Sequence, residues 1–338
     1  MRCWKTFNKS VRNKILRCPF DIKELKSILS KMSLNVCCVL AVPEFRLKWT
    51  EVIRGVRNSR LRMEPASVAK VLCNYAHRSF LPEDLADLVA ILRLKLVTTQ
   101  PRTWHVIKLV NKNDDEPPIL SPNLSFFLKQ ALRTTKICKN RRPQIQTFKM
   151  NSLVYISVQM QGPTPVYMAV PLQGDVALVS ALRSGVIAGL VKGLGYETYE
   201  DVSLSGQHID SLLRIYNTGN TNQAEHLSGL PEYNPTPIIT QSGIDYTGKA
   251  YDEHYVQQII GPDPPIVRML KIKTEKEYFN RNILNKEIKM EMDLKTEDVA
   301  KSLIHWAKLG AIPPTSELFH IFHKTKSNNF VYRGDMND

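Results

Sequence analysis

The sequence predicts an α+β protein in which a helical N-terminal part precedes a sheet. Apolar residues recur with the helical period through the first hundred positions, whereas from about residue 150 they alternate as in half-buried strands. A turn-rich, acidic stretch at Asn113–Pro118 separates the two patterns. The chain has 338 residues, which is long enough for two domains, so we expect the change of period to mark a domain boundary.

The predicted N-terminal domain spans residues 1–110 and is a bundle of short amphipathic helices. Its helical faces are Val11, Ile15 and Leu16, then Ile22, Leu25, Ile28 and Leu29, then Val68, Val71, Leu72 and Tyr75, and finally Leu85, Leu88, Val89, Leu92 and Leu96. Residues 33–58 follow neither the helical nor the strand period. We therefore interpret this stretch as an irregular insertion or as an artefact of the gene model.

The predicted second domain spans residues 119–216 and has a sheet with helices on one face. In chain order its elements are a helix through Leu124–Leu132, a strand through Val154, Ile156 and Val158, a strand over Val166–Val170, a helix over Leu182–Leu194, an extended segment Tyr196–Leu204 and a helix through Ile209, Leu212 and Leu213. Residues 217–265 are rich in Asn, Thr, Gly and Pro, so we predict an irregular linker there.

Residues 266–338 form a predicted C-terminal strand-helix region. Strands are expected at Val267–Ile272, Ile288–Met292 and Asn329–Arg333, with a helix Thr296–Leu309 that is capped by Thr296 and ended by Gly310. So few strands give a small core, and an open sheet edge recruits further strands. We expect this region to complete its sheet against a partner protein, and the alternative is that it packs onto its own chain.

Positive charge is concentrated in the first half of the chain. Residues 1–150 hold 29 Lys and Arg against 11 Asp and Glu, whereas residues 151–338 hold the remaining 17 and 21, and the whole chain has a net charge of +14. A charge that only improved solubility would have no reason to avoid the second half. The asymmetry indicates a polyanionic partner, either nucleic acid or an anionic membrane.

No catalytic or membrane-spanning pattern accompanies this charge. The chain has no phosphate-binding glycine loop with a following Lys-Ser/Thr, and neither of the common zinc-protease and serine-hydrolase motifs occurs. No apolar run approaches the roughly 18 residues that span a bilayer, and the apolar residues beside the cations are needed for the core, which argues against a membrane-surface helix. The six cysteines have no zinc spacing, so we expect no metal, no cofactor and no enzymatic activity.

The cations form clusters on separate predicted elements. Arg12, Lys14 and Arg17 interleave with the first apolar face, four arginines lie between Arg54 and Arg62, and a third cluster spans Lys136–Arg142. Arg and Lys on separate elements can follow a phosphate backbone. Few aromatic residues interleave with them, so stacking on single-stranded bases is not favoured.

An ordered series of segments resembles the centromere protein N family of the inner kinetochore. The segments are Lys14–Pro19 followed by Glu24-Leu25, Arg60 and Arg62 before Ser67-Val68, Arg102–Val106, Gln130–Leu132, Gln207–Leu212, Ile288–Met292, Ala300–Leu309, Gly310–Ile312 and Phe330–Arg333. No single motif is diagnostic, but the series covers nearly the whole chain.

The resemblance implies a fold and a function. It implies an N-terminal pyrin-like helical domain, an α+β domain of the type shared with centromere protein L, and a C-terminal region that pairs with that sister subunit. It also implies a non-enzymatic nuclear protein that binds centromeric nucleosomal DNA at the kinetochore, together with other inner-kinetochore subunits, for chromosome segregation. Carried over position by position, the DNA contacts are Arg12, Lys14, Arg17, Arg60, Arg62 and Arg102, with Arg183 contributing more weakly.

The sequence departs from the family at two places. Lys5 and Lys9 stand where the family's first helix offers acidic residues to the centromeric histone variant, and Ser205 and Gln207 replace a basic pair. The resemblance therefore supports DNA binding more strongly than recognition of the histone variant. One alternative is a general DNA- or RNA-binding chromatin protein without histone preference. Another is a nucleic-acid enzyme, which would need carboxylates facing the cations, and the first half has only 11.

Overall fold

The protein is a mixed α+β protein, as predicted, and the structure shows that it contains an antiparallel sheet. The structure, a computed structural model, describes residues 21–112, 119, 121–135, 143–160, 164–220, 231–241, 243–280 and 283–333. The chain divides into two compact units, one made of Met1–Pro101 with Leu109–Tyr199 and the other of Arg102–Lys108 with Glu200–Asp338.

Helices make up the first part of the first unit. They are α1 (residues 21–30), α2 (Leu34–Val36), a π-helical turn Cys37–Ala41, a 3₁₀ turn Val42–Phe45, α3 (Trp49–Asn58), α4 (Pro65–Ser79) and α5 (Pro82–Thr99). Proline stands at the start of both α4 and α5, where its missing N–H has no helical partner in any case. The apolar faces of these helices pack into one core that includes Leu25, Leu72 and Leu92.

The prediction that residues 33–58 are an irregular insertion is wrong. Their apolar side chains belong to the helical core: Cys37, Ala41, Val42, Phe45, Val52 and Val56 are all buried in it. The stretch changes from α-helix to π-helix to 3₁₀-helix within twelve residues, so its apolar positions follow no single period. Burial raises the pKa of the Cys37 thiol to about 11, which keeps this thiol protonated at neutral pH.

A six-stranded sheet follows the helices. Its strands are β1 (Trp104–Lys112), β2 (Gln144–Met150), β3 (Leu153–Gln159), β4 (Val166–Pro171), β5 (Val176–Val179) and β6 (Tyr196–Gly206), in the order β2-β3-β4-β5-β1-β6. Strands β2 to β5 pair antiparallel. Six successive residues of β3 are buried, so both faces of the sheet are covered there.

Helices α6 (Leu124–Thr134) and α7 (Ser184–Gly193) pack closely against each other in the first unit. The approach requires glycine at two positions of α7. A Cβ at Gly193 would lie 2.9 Å from the Cα of Leu128, and one at Gly189 would lie 2.6 Å from Cδ2 of Leu132. The glycines that the sequence offers in this segment therefore serve helix packing.

Besides parts of β1 and β6, the second unit contains the remaining elements. They are α8 (Ile209–Asn220), β7 (Ile238–Thr240), β8 (Gly243–Asp245), α9 (Lys249–Ile260), β9 (Met269–Asn280), β10 (Ile283–Lys295), α10 (Val299–Lys308), α11 (Glu317–His323) and β11 (Asn329–Arg333). The predicted irregular linker 217–265 is thus partly wrong, because it includes the hairpin β7–β8 and the helix α9. The rings of Tyr233, Tyr251 and Tyr255 contact one another and fix α9 to the preceding segment.

The C-terminal sheet has the order β10-β9-β11, with β10 antiparallel and β11 parallel to β9. One face carries Leu270 and Ile272, which are buried against Ile321 of α11.

The predicted cap of α10 is wrong. Asp298 caps this helix by accepting from the N–H of Lys301, whereas the buried hydroxyl of Thr296 has no hydrogen-bond partner among the described residues.

Candidate nucleic-acid interface

The predicted DNA contacts fall into three groups in the structure. Arg12, Lys14 and Arg17 lie outside the described residues. Arg60 and Arg62 lie together in the loop between α3 and α4, and Arg183 precedes α7 in the same unit. Arg102 is an exposed residue of the other unit, just before β1.

The loop that carries Arg60 and Arg62 has a defined backbone geometry. The N–H of Arg60 donates to the carbonyl of Arg57 at 2.9 Å, and the N–H of Leu61 donates to that of Val56 at 3.2 Å. This pair of hydrogen bonds is a Schellman motif, in which the residue after the helix cap adopts the left-handed conformation. Leu61 packs against the helical core, so both neighbouring arginines are held at the surface of a fixed turn.

Arg60 occupies the position of this motif that glycine usually takes. Its φ is +53°, a conformation that costs a residue with a Cβ about 1 kcal/mol. Arg46, which follows the 3₁₀ turn, is also left-handed, with φ of +56°. Glycine would relax the backbone at both positions, so the chain keeps the two arginine side chains there at a small cost in stability.

Four exposed arginines form what we name the α3 stripe: Arg54, Arg57, Arg60 and Arg62. Arg54 and Arg57 lie three residues apart and therefore on neighbouring positions of the helix surface, and the turn after α3 continues the series. None of the four side chains forms an ion pair or hydrogen bond with another described residue. Within the part of the chain that the structure describes, the positive charge of the stripe is therefore uncompensated and exposed to solvent.

The acidic residues nearest to the stripe in sequence are oriented toward helix N-termini. The carboxylate of Glu51 accepts from the N–H of Lys48 at 2.7 Å, at the start of α3. Glu64 is the residue before α4, and its carboxylate accepts from the hydroxyl of Ser67 at 3.4 Å. Negative charge at these positions stabilises the helices through their N-terminal N–H groups, which leaves the arginines without a carboxylate partner among the described residues.

Two other cations of the first unit, Lys95 and Arg93, are compensated. Nζ of Lys95 is buried and donates to the carbonyl of Leu40 at 2.9 Å and to the carboxylate of Glu44 at 2.6 Å, and it lies 4.7 Å from the ring centroid of Phe148. Arg93 pairs with Glu24. These two cations hold the helices and β2 together, so their positive charge is not available to an external partner.

Arg183 is intermediate between these two arrangements. It is exposed, but its guanidinium donates to the hydroxyl of Thr164 at 3.1 Å and to the carbonyl of the same residue at 3.4 Å. A guanidinium has five N–H donors, so this contact with Thr164 orients Arg183 and leaves donors for a further acceptor.

From the sequence, all four arginines form one cluster of cations, but only Arg60 and Arg62 were predicted as DNA contacts. A signal for Arg54 and Arg57 was present, because a spacing of three places both on one helix surface, but it depends on α3 being a helix. That helix lies in the stretch that was predicted to be irregular. The exposed Arg46 and Lys48, which precede α3, were missed for the same reason.

No group of three or more His, Cys, Asp or Glu side chains among the described residues is arranged to hold a metal ion. None of the described helices is long and apolar enough to cross a membrane. No protein-family model matches the chain, and no curated protein matches it either.

Proposed function

We propose that the chain is a non-enzymatic, nucleic-acid-binding subunit of the kinetochore that binds centromeric nucleosomal DNA. The α3 stripe contacts the phosphate backbone, and Arg102, Arg183 and the N-terminal Arg12, Lys14 and Arg17 add further contacts. The family resemblance supports the nuclear, centromeric location and the role in chromosome segregation.

The observation that carries the proposal is Arg60 in the left-handed position of the turn after α3. Its strained backbone, together with the absence of any described partner for its side chain, is explained when the guanidinium binds an external anion. The charges of Arg54, Arg57 and Arg62 beside it make that anion a polyanion. No aromatic residue occurs between Arg54 and Glu64, so this site offers no ring for bases to stack on and fits a duplex backbone.

In the first test, both Arg60 and Arg62 are changed to Glu in the full chain. Binding to a short DNA duplex, measured by fluorescence anisotropy over a range of salt concentrations, should weaken. The slope of log affinity against log salt should fall in magnitude by about two, because two phosphate contacts are lost. An unchanged slope would remove both arginines from the interface.

The matched control is Arg60→Gly with Arg62→Gln. Glycine relaxes the left-handed backbone and so should leave the free energy of unfolding equal or higher by up to about 1 kcal/mol, while both charges are removed. Loss of binding in this folded variant separates a direct contact from a folding defect.

The same assay with reconstituted centromeric nucleosomes tests the chromatin part of the proposal. Equal affinity for nucleosomes and for free DNA of the same length would favour the general nucleic-acid-binding alternative.

The proposal includes a sister subunit that resembles centromere protein L and binds the C-terminal sheet. Within the described residues β10 and β11 are the outer strands of that sheet, and an open edge offers N–H and C=O groups to another strand. The region also contacts its own chain, because the N–H of Ile266 donates to the hydroxyl of Ser211 in α8 at 3.1 Å. This contact anchors the sheet and leaves its outer strands to a partner.

Hydrogen exchange tests this part of the proposal. Adding the sister subunit should slow exchange of the β10 or β11 amide groups, while β3, which is buried inside the six-stranded sheet, serves as the internal reference. A stable monomer that shows no added protection in either outer strand would favour packing onto its own chain alone.

A further inference from the structure

Ser59 lies among the four arginines of the α3 stripe. Arg54 and Arg57 precede it by five and two residues, and Arg60 and Arg62 follow it by one and three. Ser59 is the exposed C-cap of α3, and its hydroxyl donates to the carbonyl of Gly55 at 2.9 Å. A nucleophilic oxygen is thus held at the surface within a cluster of cations that have no partner among the described residues.

We infer that Ser59 is a phosphorylation site whose modification switches off binding to nucleic acid by the α3 stripe. The inference rests on the proposed function, because the modification acts on the same arginines. A protein kinase with an acidic substrate cleft transfers the γ-phosphoryl group of ATP to Oγ of Ser59. The Oγ–P bond forms, the bond from that phosphorus to the ADP oxygen breaks, and the hydroxyl proton passes to a carboxylate of the kinase.

The surroundings of Ser59 meet the requirements of a kinase substrate. Residues 59–64 are exposed except for the half-buried Leu61, so the turn is accessible. Arginines on both sides of the hydroxyl supply the charges that an acidic kinase cleft binds. The contrast is Ser33, which is also exposed but has Lys31 as its one cation within five residues. Ser67 is buried, with 5% of its surface exposed, and is not accessible.

A phosphate on Ser59 opposes nucleic-acid binding in two ways. It carries about −1.5 to −2 charges at neutral pH, which pair with the neighbouring guanidinium groups and occupy the donors that would otherwise bind DNA phosphates. It also places negative charge at the C-terminal end of α3, where the helix dipole is unfavourable to an anion. Loss of the hydrogen bond to Gly55 loosens the last turn that positions Arg57.

The experiment uses the full chain, ATP and an arginine-directed serine kinase. Mass spectrometry of the product should place most of the incorporated phosphate on Ser59, and Ser59→Ala should lose that incorporation. The phosphorylated protein should bind the DNA duplex with a salt slope smaller by about two, since the added charge offsets about two cations. Treatment with a phosphatase should restore the original slope.

Ser59→Asp and Ser33→Asp form a matched pair of variants. Each adds one negative charge to the helical part of the chain, and aspartate preserves the N-cap that Ser33 provides to α2. Ser59→Asp should lower the slope by about one, whereas Ser33→Asp should leave it close to the original value. Circular dichroism checks that both variants are folded.

Each outcome bears on one of the two hypotheses. Phosphate on other residues but not on Ser59 overturns the modification site. Equal binding by the phosphorylated and unmodified proteins overturns the switch. If the unmodified chain does not bind DNA at all, the proposed function fails, and the mapping of phosphate to Ser59 still reports independently on the modification.

Discussion

The α3 stripe and the outer face of the β9–β10 pair both carry clustered cations, but in opposite arrangements. On the sheet, Lys273 lies 3.2 Å from Glu291, and Lys271 and Lys295 both approach Asp293, at 4.0 and 3.1 Å. The antiparallel register places each of the first two lysines directly opposite its carboxylate. On α3 the arginines have no described partner.

The difference separates two uses of charge. Opposite charges across paired strands each contribute a few tenths of a kcal/mol to pairing and help fix the register. They leave little net field for an external ligand. Uncompensated cations do not stabilise the fold in this way, and they repel one another. Their charge contributes favourably only when a polyanion binds to them. Local compensation, and not the count of Lys and Arg, distinguishes a candidate interface from a charged surface.

The largest effect on stability is expected from a cation of a third kind, the buried Lys95. Lys95→Ala should lower the free energy of unfolding by about 3 kcal/mol, because the carbonyl of Leu40 and the carboxylate of Glu44 lose their donor and a cavity opens beside Phe148. Chemical denaturation measures the loss. Lys95→Met, which refills the cavity, should lose less. The salt slope of DNA binding should stay unchanged in both, and a lower slope would contradict the distinction between compensated and free cations.

A smaller effect is expected from Lys271→Glu with Lys273→Glu. The new carboxylates would face Asp293 and Glu291, and like charges opposite each other should lower the free energy of unfolding by about 1 kcal/mol. This variant changes the net charge by the same amount as the Arg60 and Arg62 double replacement with Glu. It should nevertheless leave the salt slope of DNA binding unchanged. Equal losses of slope in the two variants would show that net charge, and not the stripe, determines binding.

Much of the fold was predictable wherever one period persists. The faces through Leu72 and Leu92 predicted α4 and α5, and the alternation of Val154, Ile156 and Val158 predicted β3. The prediction for residues 33–58 was wrong because a π-helical and a 3₁₀ turn interrupt the α-helical spacing. The buried residues of this stretch are nevertheless as apolar as those of α4. Helix α9 was not predicted because it lies in a segment whose Asn, Thr, Gly and Pro content is typical of a linker.

The site was predictable in composition but not in geometry. A run of arginines ending at Arg62 is visible in the sequence and suggested phosphate contacts. The turn that presents them was not visible, because its usual sign is a glycine after the helix, and the residue there is Arg60. The apolar pair Val56 and Leu61, five residues apart, is the remaining signal of such a turn. The contributions of all the predicted contacts to DNA binding stay predictions: Arg12, Lys14, Arg17, Arg60, Arg62, Arg102 and Arg183.

The side chain of Asn328 gives the second unit a particular order of assembly. This buried amide accepts from the N–H of Ser205 in β6 and donates to the carbonyl of Met269 at 2.6 Å. Its backbone N–H also donates to the carbonyl of Ser203 at 3.1 Å. During translation, more than a hundred residues emerge between Ser205 and this partner. The end of β6 is therefore made about 6 to 25 seconds before this partner, at ribosomal rates of about 5–20 residues per second. The second unit therefore cannot be completed before Asn328 has been synthesised, and until then the N–H of Ser205 and the carbonyl of Ser203 lack these partners.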